Sequence, residues 1–115
     1  MQYLLLIYGN EQAITALPKE AAAEMTAAYM AYAQAAQSAG VLQGANRLKR
    51  TSAASTVRAP GGKTQVLDGP YAETKEQLAG YFLIDVPNLD EALSWAARCP
   101  GAAYGAIEVR PIWEM

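Results

Sequence analysis

The sequence predicts an α+β domain of the ferredoxin-like kind, an antiparallel sheet with two helices on one face. Three observations predict it. Segments of strand and helix character follow one another as strand, helix, two or three strands, helix, strand, the order of a split β-α-β layer. Each of the two helical segments carries a single apolar stripe, enough to cover one sheet face and no more. The length of 115 residues suits one ordinary domain and is too short for two independent cores. No linker, repeat or low-complexity run interrupts residues 1–115, which are read as a single domain.

The run Tyr3 to Tyr8 has strand length and is apolar on both alternating faces, the pattern of a central strand; Gly9-Asn10 closes it. From Pro18 to Ala39 the chain is rich in alanine and other strong helix formers. Pro18 suits the first turn and Gly40 the position just past the end. This helix is about 30 Å long at the standard rise. Met25, Tyr29, Tyr32 and Ala36 share one stripe on it, with the tyrosine rings expected in the core and their hydroxyls at its rim. Val41-Leu42 opens a β-like region that turns polar, and Ser55 to Arg58 and Lys63 to Leu67 flank Pro60-Gly61-Gly62 as a hairpin. Gly80 to Val86 reads as a buried strand ended by Pro87. Asn88 then caps a second helix, with Glu91 three residues on and Leu89, Ala92, Leu93, Ala96 and Ala97 at helical spacing. Cys99-Pro100-Gly101 stops it, and Tyr104 to Arg110 forms the last strand.

Two helices cover one face of such a sheet and leave the other bare. A bare apolar face of that extent is unusual in a monomer, so a symmetric homodimer that pairs sheet against sheet is expected.

Composition excludes several classes of function. With 11 acidic and 9 basic residues the formal charge is −2, which lacks the basic excess of a phosphate-tracking surface, so no nucleic acid is expected as a partner. The cluster Arg47-Leu48-Lys49-Arg50 has no aromatic platform beside it and reads as solvated surface. The longest N-terminal apolar run is too short to cross a membrane and lacks the flanks of a targeting segment, which predicts a soluble cytoplasmic protein. Cys99 is the single cysteine, so no intrachain disulfide and no thiolate cluster can form; half-buried packing is its expected role. Histidine is absent, which removes imidazole-based triads, dyads and metal sites. No cofactor and no metal are expected.

The segment Asp68-Gly69-Pro70-Tyr71-Ala72-Glu73-Thr74-Lys75-Glu76 concentrates a rigid turn and several ionisable side chains between two strand-like runs. Followed by Gln77-Leu78, Gly80-Tyr81-Phe82-Leu83-Ile84-Asp85-Val86 and Ile107-Glu108-Val109-Arg110-Pro111, it resembles the YCII-related proteins of the DGPF group. The resemblance extends to Tyr3 through Gly9 and to Asp90-Glu91-Ala92-Leu93, and so spans essentially the whole chain. It implies a dimeric α+β barrel, bacterial and cytoplasmic, sometimes encoded beside extracytoplasmic-function sigma factors, from a group mostly of unknown activity. Some members of the wider superfamily carry a His-Asp pair suggested as catalytic. That mechanism does not transfer to a chain without histidine. Relatives often show a Gly-Glu-Gly type segment after the first helix, where this chain reads Gly44-Ala45-Asn46-Arg47.

The turn supports two readings. As structure, Asp68 accepts backbone N–H groups, Gly69 supplies an unusual φ, Pro70 fixes the bend and Glu73 to Glu76 stay solvated. As a site, Asp68, Tyr71, Glu73, Lys75 and Tyr81 converge on a pocket in the dimer cleft, with Asp68 the catalytic candidate; proton abstraction there requires desolvation to outweigh the attraction of Lys75. Arg47 and Arg110, with Arg58 beside them, are candidate anchors for an anion, because a guanidinium fork matches a carboxylate. The functional expectation is a dimer binding a small polar or carboxylated molecule beside the turn, with isomerase- or lyase-like acid/base chemistry if it is an enzyme. The alternative is a non-catalytic dimeric interaction module linked to sigma-factor regulation.

Overall fold

Strand β1 (Gln2–Gly9) lies inside a four-stranded antiparallel sheet, paired with β5 (Gln77–Asp85) on one side and β6 (Ala106–Pro111) on the other. Strand β2 (Leu42–Arg47) completes the sheet beyond β5, giving the order β2-β5-β1-β6. This is the ferredoxin-like arrangement expected from the element order. The structure, a computed structural model, describes all 115 residues.

Alternation along β1 explains which face is covered. Tyr3, Leu5, Ile7 and Gly9 are buried, whereas Gln2, Leu4, Leu6 and Tyr8 are half-buried, as period-two geometry requires when only one face is fully sealed. The sealed face carries helices α2 (Lys19–Ser38) and α3 (Leu89–Arg98). Phe82 and Ile84 from β5, Tyr32 and Ala36 from α2, and Ala92, Trp95 and Ala96 from α3 join the buried β1 residues in one core. Phe82 and Trp95 both meet the Tyr32 ring edge-on, at 5.0 and 5.9 Å between centroids, the favoured geometry for aromatic quadrupoles. The Tyr32 hydroxyl is not at the rim as the stripe predicted. It is buried and donates to the Trp95 carbonyl at 2.7 Å, so a polar group inside the core is satisfied.

Helix α3 begins as its sequence indicates, with Asn88 Oδ1 accepting the Glu91 N–H at 3.0 Å and acidic residues in the first turn. A short helix α1 (Glu11–Thr15), not anticipated, follows β1 directly. Asn10 closes the strand and also caps this helix, accepting the Ala13 N–H at 2.9 Å. Cys99 is buried completely rather than half-buried, at 2% exposure.

The hairpin forms its own two-stranded sheet, β3 (Ser55–Arg58) with β4 (Gln65–Asp68). Gly61 and Gly62 both take positive φ in its turn, which only glycine adopts without cost. Val57 and Val66 stand opposite one another and are each 59% exposed. An isolated ribbon of two strands is marginal in water, so this arm depends on its root. There Glu11 accepts both the Thr51 N–H at 2.7 Å and the Thr51 hydroxyl at 2.8 Å.

The molecule is a slab of 46 × 44 × 19 Å with a radius of gyration of 16.0 Å, against about 13 Å for a compact chain of similar length. Flatness follows from the single covered face and the projecting arm. On the open face Leu4 is opposite Leu83 and Leu6 opposite Tyr81, an apolar band between the strand edges. No helix is long and apolar enough to cross a membrane.

A candidate binding cavity under the long helix

Helix α2 does not lie flat on the sheet. Its stripe is buried only in the C-terminal half, at Tyr32 and Ala36, while Met25 and Tyr29 further up are half-buried. Beneath that lifted half is a partly open cavity of about 450 Å³, within the size range of small-molecule sites. Small residues create the volume: Ala22 and Ala33 on α2, Ala45 on β2, and Gly9, Gly80, Gly101 and Gly105 along the sheet end and the turn before β6. Close approach accounts for two of the glycines. A Cβ at Gly105 would overlap the Tyr8 carbonyl oxygen, and one at Gly80 would lie 2.7 Å from the Asn46 carbonyl oxygen.

The walls are mainly apolar and aromatic, with Met25, Tyr29, Met30, Phe82 and Tyr104 among the lining residues. Arg47 is the one lining residue with a full charge. It belongs to the helix-covered face, because its register partner is Gly80, which alternates with the core residues Phe82 and Ile84. The Tyr29 hydroxyl stands over the Gly101 backbone, 2.5 Å from where a side chain there would begin, and within reach of the Cys99 thiol. Burial, reinforced by Cys99, pushes the Tyr29 phenol well above the ordinary tyrosine range; burial does the same to Tyr32. Burial also raises the Cys99 thiol, with the Gly101 backbone and Tyr29 hydroxyl acting in the opposite direction. All three groups are therefore neutral near pH 7, and Tyr29 offers a phenol hydroxyl there and not a base.

Unfolded tyrosine loses its proton near pH 10, whereas folded Tyr29 and Tyr32 hold theirs to higher pH. Above pH 10 the unfolded state thus binds fewer protons, and stability falls as pH rises. Absorbance titration is expected to show two late-ionising phenols among the seven. Unfolding midpoints measured from pH 9 to 11 should fall less steeply in Tyr29→Phe and Tyr32→Phe.

The residues singled out in the sequence separate. Arg47 is on the cavity wall, whereas Tyr81 borders the cavity from a position whose side chain is on the open face, where its hydroxyl accepts from Asn46 Nδ2 at 2.8 Å. Asp68, Tyr71, Glu73 and Lys75 are exposed and outside the cavity, so a single chain does not bring them together with Tyr81. Tyr71 is 76% exposed, with the Arg58 guanidinium 5.2 Å from its ring centre. Arg110 is on the open face of β6, paired with Glu108; such an exposed ion pair contributes little to stability.

The turn has the backbone that the sequence implied, with Gly69 at φ 116°, but other residues hold it. Gly69 N–H donates to the Ala54 carbonyl at 2.7 Å, the Thr56 hydroxyl to the Gly69 carbonyl at 2.9 Å, and Thr74 and Gln77 close the far side. The Asp68 carboxylate takes no part in these bonds. Nor do three or more carboxylates and thiols approach closely enough to share a metal ion.

Fold and cavity together define a two-layer α+β protein with a small-molecule-sized chamber between its long helix and its sheet. The chain belongs to the YCII-related domain family, whose model matches residues 1–115. It is 42% identical over 114 residues to the uncharacterized protein R00369 of Rhizobium meliloti strain 1021, covering 97% of this chain and 92% of that protein. Among solved structures it is similar to 5-chloro-2-hydroxyhydroquinone dehydrochlorinase (TftG) of Burkholderia phenoliruptrix AC1100, solved in complex with 2,5-dihydroxybenzoquinone. That match has a TM-score of 0.56 over 99% of this chain and 94% of TftG. At 15% identity the likeness carries the fold.

Proposed function

We propose that this YCII-family protein binds a compact, largely apolar small molecule in the chamber beneath α2. The observation that carries this reading is a cavity of about 450 Å³ walled by apolar and aromatic side chains. Such a space holds one six-membered ring with substituents, and apolar burial supplies most of the affinity. Met25 and Met30 give the roof adjustable walls. The reading keeps one residue weighed in the sequence, Arg47, on the chamber wall.

The working unit in this reading is a homodimer formed through the open sheet face. The slab shape and the Leu4, Leu6 and Leu83 band support it. In such a dimer the segment at and beyond the base of the exposed arm, with Asp68, Tyr71, Glu73 and Lys75, is free to meet the other copy. That is the way in which those four residues would bear on a ligand.

Titration calorimetry with p-cresol tests the chamber. The wild type is expected to bind it, and Ala33→Leu, which pushes three extra carbons into the space, should weaken binding at least tenfold while leaving the melting temperature unchanged or raised. Equal binding by both proteins would place the ligand elsewhere and end this reading.

A further inference from the structure

Arg47 is an unusual wall residue for a chamber otherwise apolar. The chain contains two ion pairs, Met1 with Asp85 and Arg110 with Glu108, and neither involves Arg47. No carboxylate residue lines the chamber. One acid near the sheet end is Glu76, whose Oε2 lies 3.1 Å from where a Cβ of Gly105 would be. Gly105 precedes β6 whereas Arg47 is on β2, three inter-strand steps away. At about 4.8 Å per step that is roughly 14 Å, too far for pairing.

Arg47 is also set apart from its basic neighbours. Strand β2 ends at Arg47, and pairing with Gly80 fixes Arg47 on the helix-covered face, whereas Lys49 and Arg50 follow the strand end. These two line a shallow surface depression that shares Arg47 with the chamber. Three positive charges thus mark one mouth of the chamber, and such a patch raises the local concentration of anions. Glu11, the acid anchored on that side, is already engaged by both the N–H and hydroxyl of Thr51.

Resting on the chamber reading above, we propose that its ligand is a small aromatic anion, a ring carrying a carboxylate or acidic phenolate, oriented with its charged oxygens on the Arg47 guanidinium and its ring among the aromatic and methionine side chains under α2. The guanidinium supplies a planar fork matched to a carboxylate.

The test uses two probes of equal shape, 4-methylbenzoate and 4-methylbenzamide, titrated into the full chain at low salt. The wild type is expected to bind the benzoate at least tenfold more tightly, and raising the salt should narrow the difference. Arg47→Gln should abolish the preference by weakening only the benzoate, and Arg47→Lys should retain part of it. Arg47 is exposed, so both variants are expected to melt like the wild type. Equal affinity for the two probes, or a preference that survives in Arg47→Gln, overturns the anion proposal while p-cresol binding leaves the chamber standing. Failure of all three probes to bind removes both.

Discussion

Leu5→Ala is expected to lower the free energy of unfolding by about 3–5 kcal/mol, the upper part of the range for truncating a buried leucine. Leu5 is 0% exposed at the centre of β1. Its register partners are Phe82 on β5 and Val109 on β6, so its side chain is bounded on both flanks by sheet residues that cannot move in to fill the gap. Only 15 of the 115 residues are buried, so one such residue is a large share of the core. Chemical denaturation at a single fixed protein concentration measures the loss, because stability and assembly are coupled if the protein dimerises. A loss below about 1 kcal/mol would mean that the packing centre lies elsewhere.

Leu83→Arg is expected to leave secondary structure unchanged and convert the proposed dimer into a monomer. Leu83 is on the opposite face of β5 from Phe82 and Ile84, beside Leu4 of β1 and Gly44 of β2. In the single chain it is half-buried, and a long cationic side chain can reach water from that position. In a two-fold sheet-to-sheet interface the same substitution appears twice and buries two unpaired like charges, a penalty of several kcal/mol per interface. Sedimentation and far-UV circular dichroism together give the answer. A wild type that sediments as a stable monomer, or a variant that remains dimeric, would refute the interface.

Much of the fold could be read from the sequence because its strongest signals were local. The apolar run at Tyr3 to Tyr8, the alanine-rich helix and the Asn88 cap each carry their own physics, and their boundaries moved by a residue or two at most. Helix α1 was missed because five residues leave no periodicity to detect, and its cap Asn10 reads equally well as a strand terminator. Strand β2 was blurred because it is an edge. Its residues Leu42–Arg47 are largely exposed and polar, so pairing to β5 and not composition makes it a strand.

The site was less legible. Charge density drew attention to Asp68–Glu76, but charged residues cluster where water is, and that segment proves to be exposed. A chamber is instead defined by missing side chains. Ala33, Ala45, Gly80, Gly101 and Gly105 are far apart in sequence and meet only through the strand register and the tilt of α2. The usable clue was Arg47, a cation placed two residues after Ala45 on a strand whose other face is turned away from the helices.

One irregularity in the sheet constrains how this fold can vary. Ile7 pairs with Gly80 and Tyr8 with Leu78, so Ala79 is an extra residue without a counterpart on β1. Inward and outward positions therefore exchange parity at that point: even-numbered Phe82 and Ile84 face the helices, but beyond Ala79 it is Gln77 that faces inward, its Oε1 accepting the Glu11 N–H at 3.0 Å. Removing one residue at this point would act like a reading-frame error, turning Gln77 to the wrong side and casting α1 adrift. Gains and losses of chain length among descendants of this fold belong upstream, in 69–76, where no parity has to be kept.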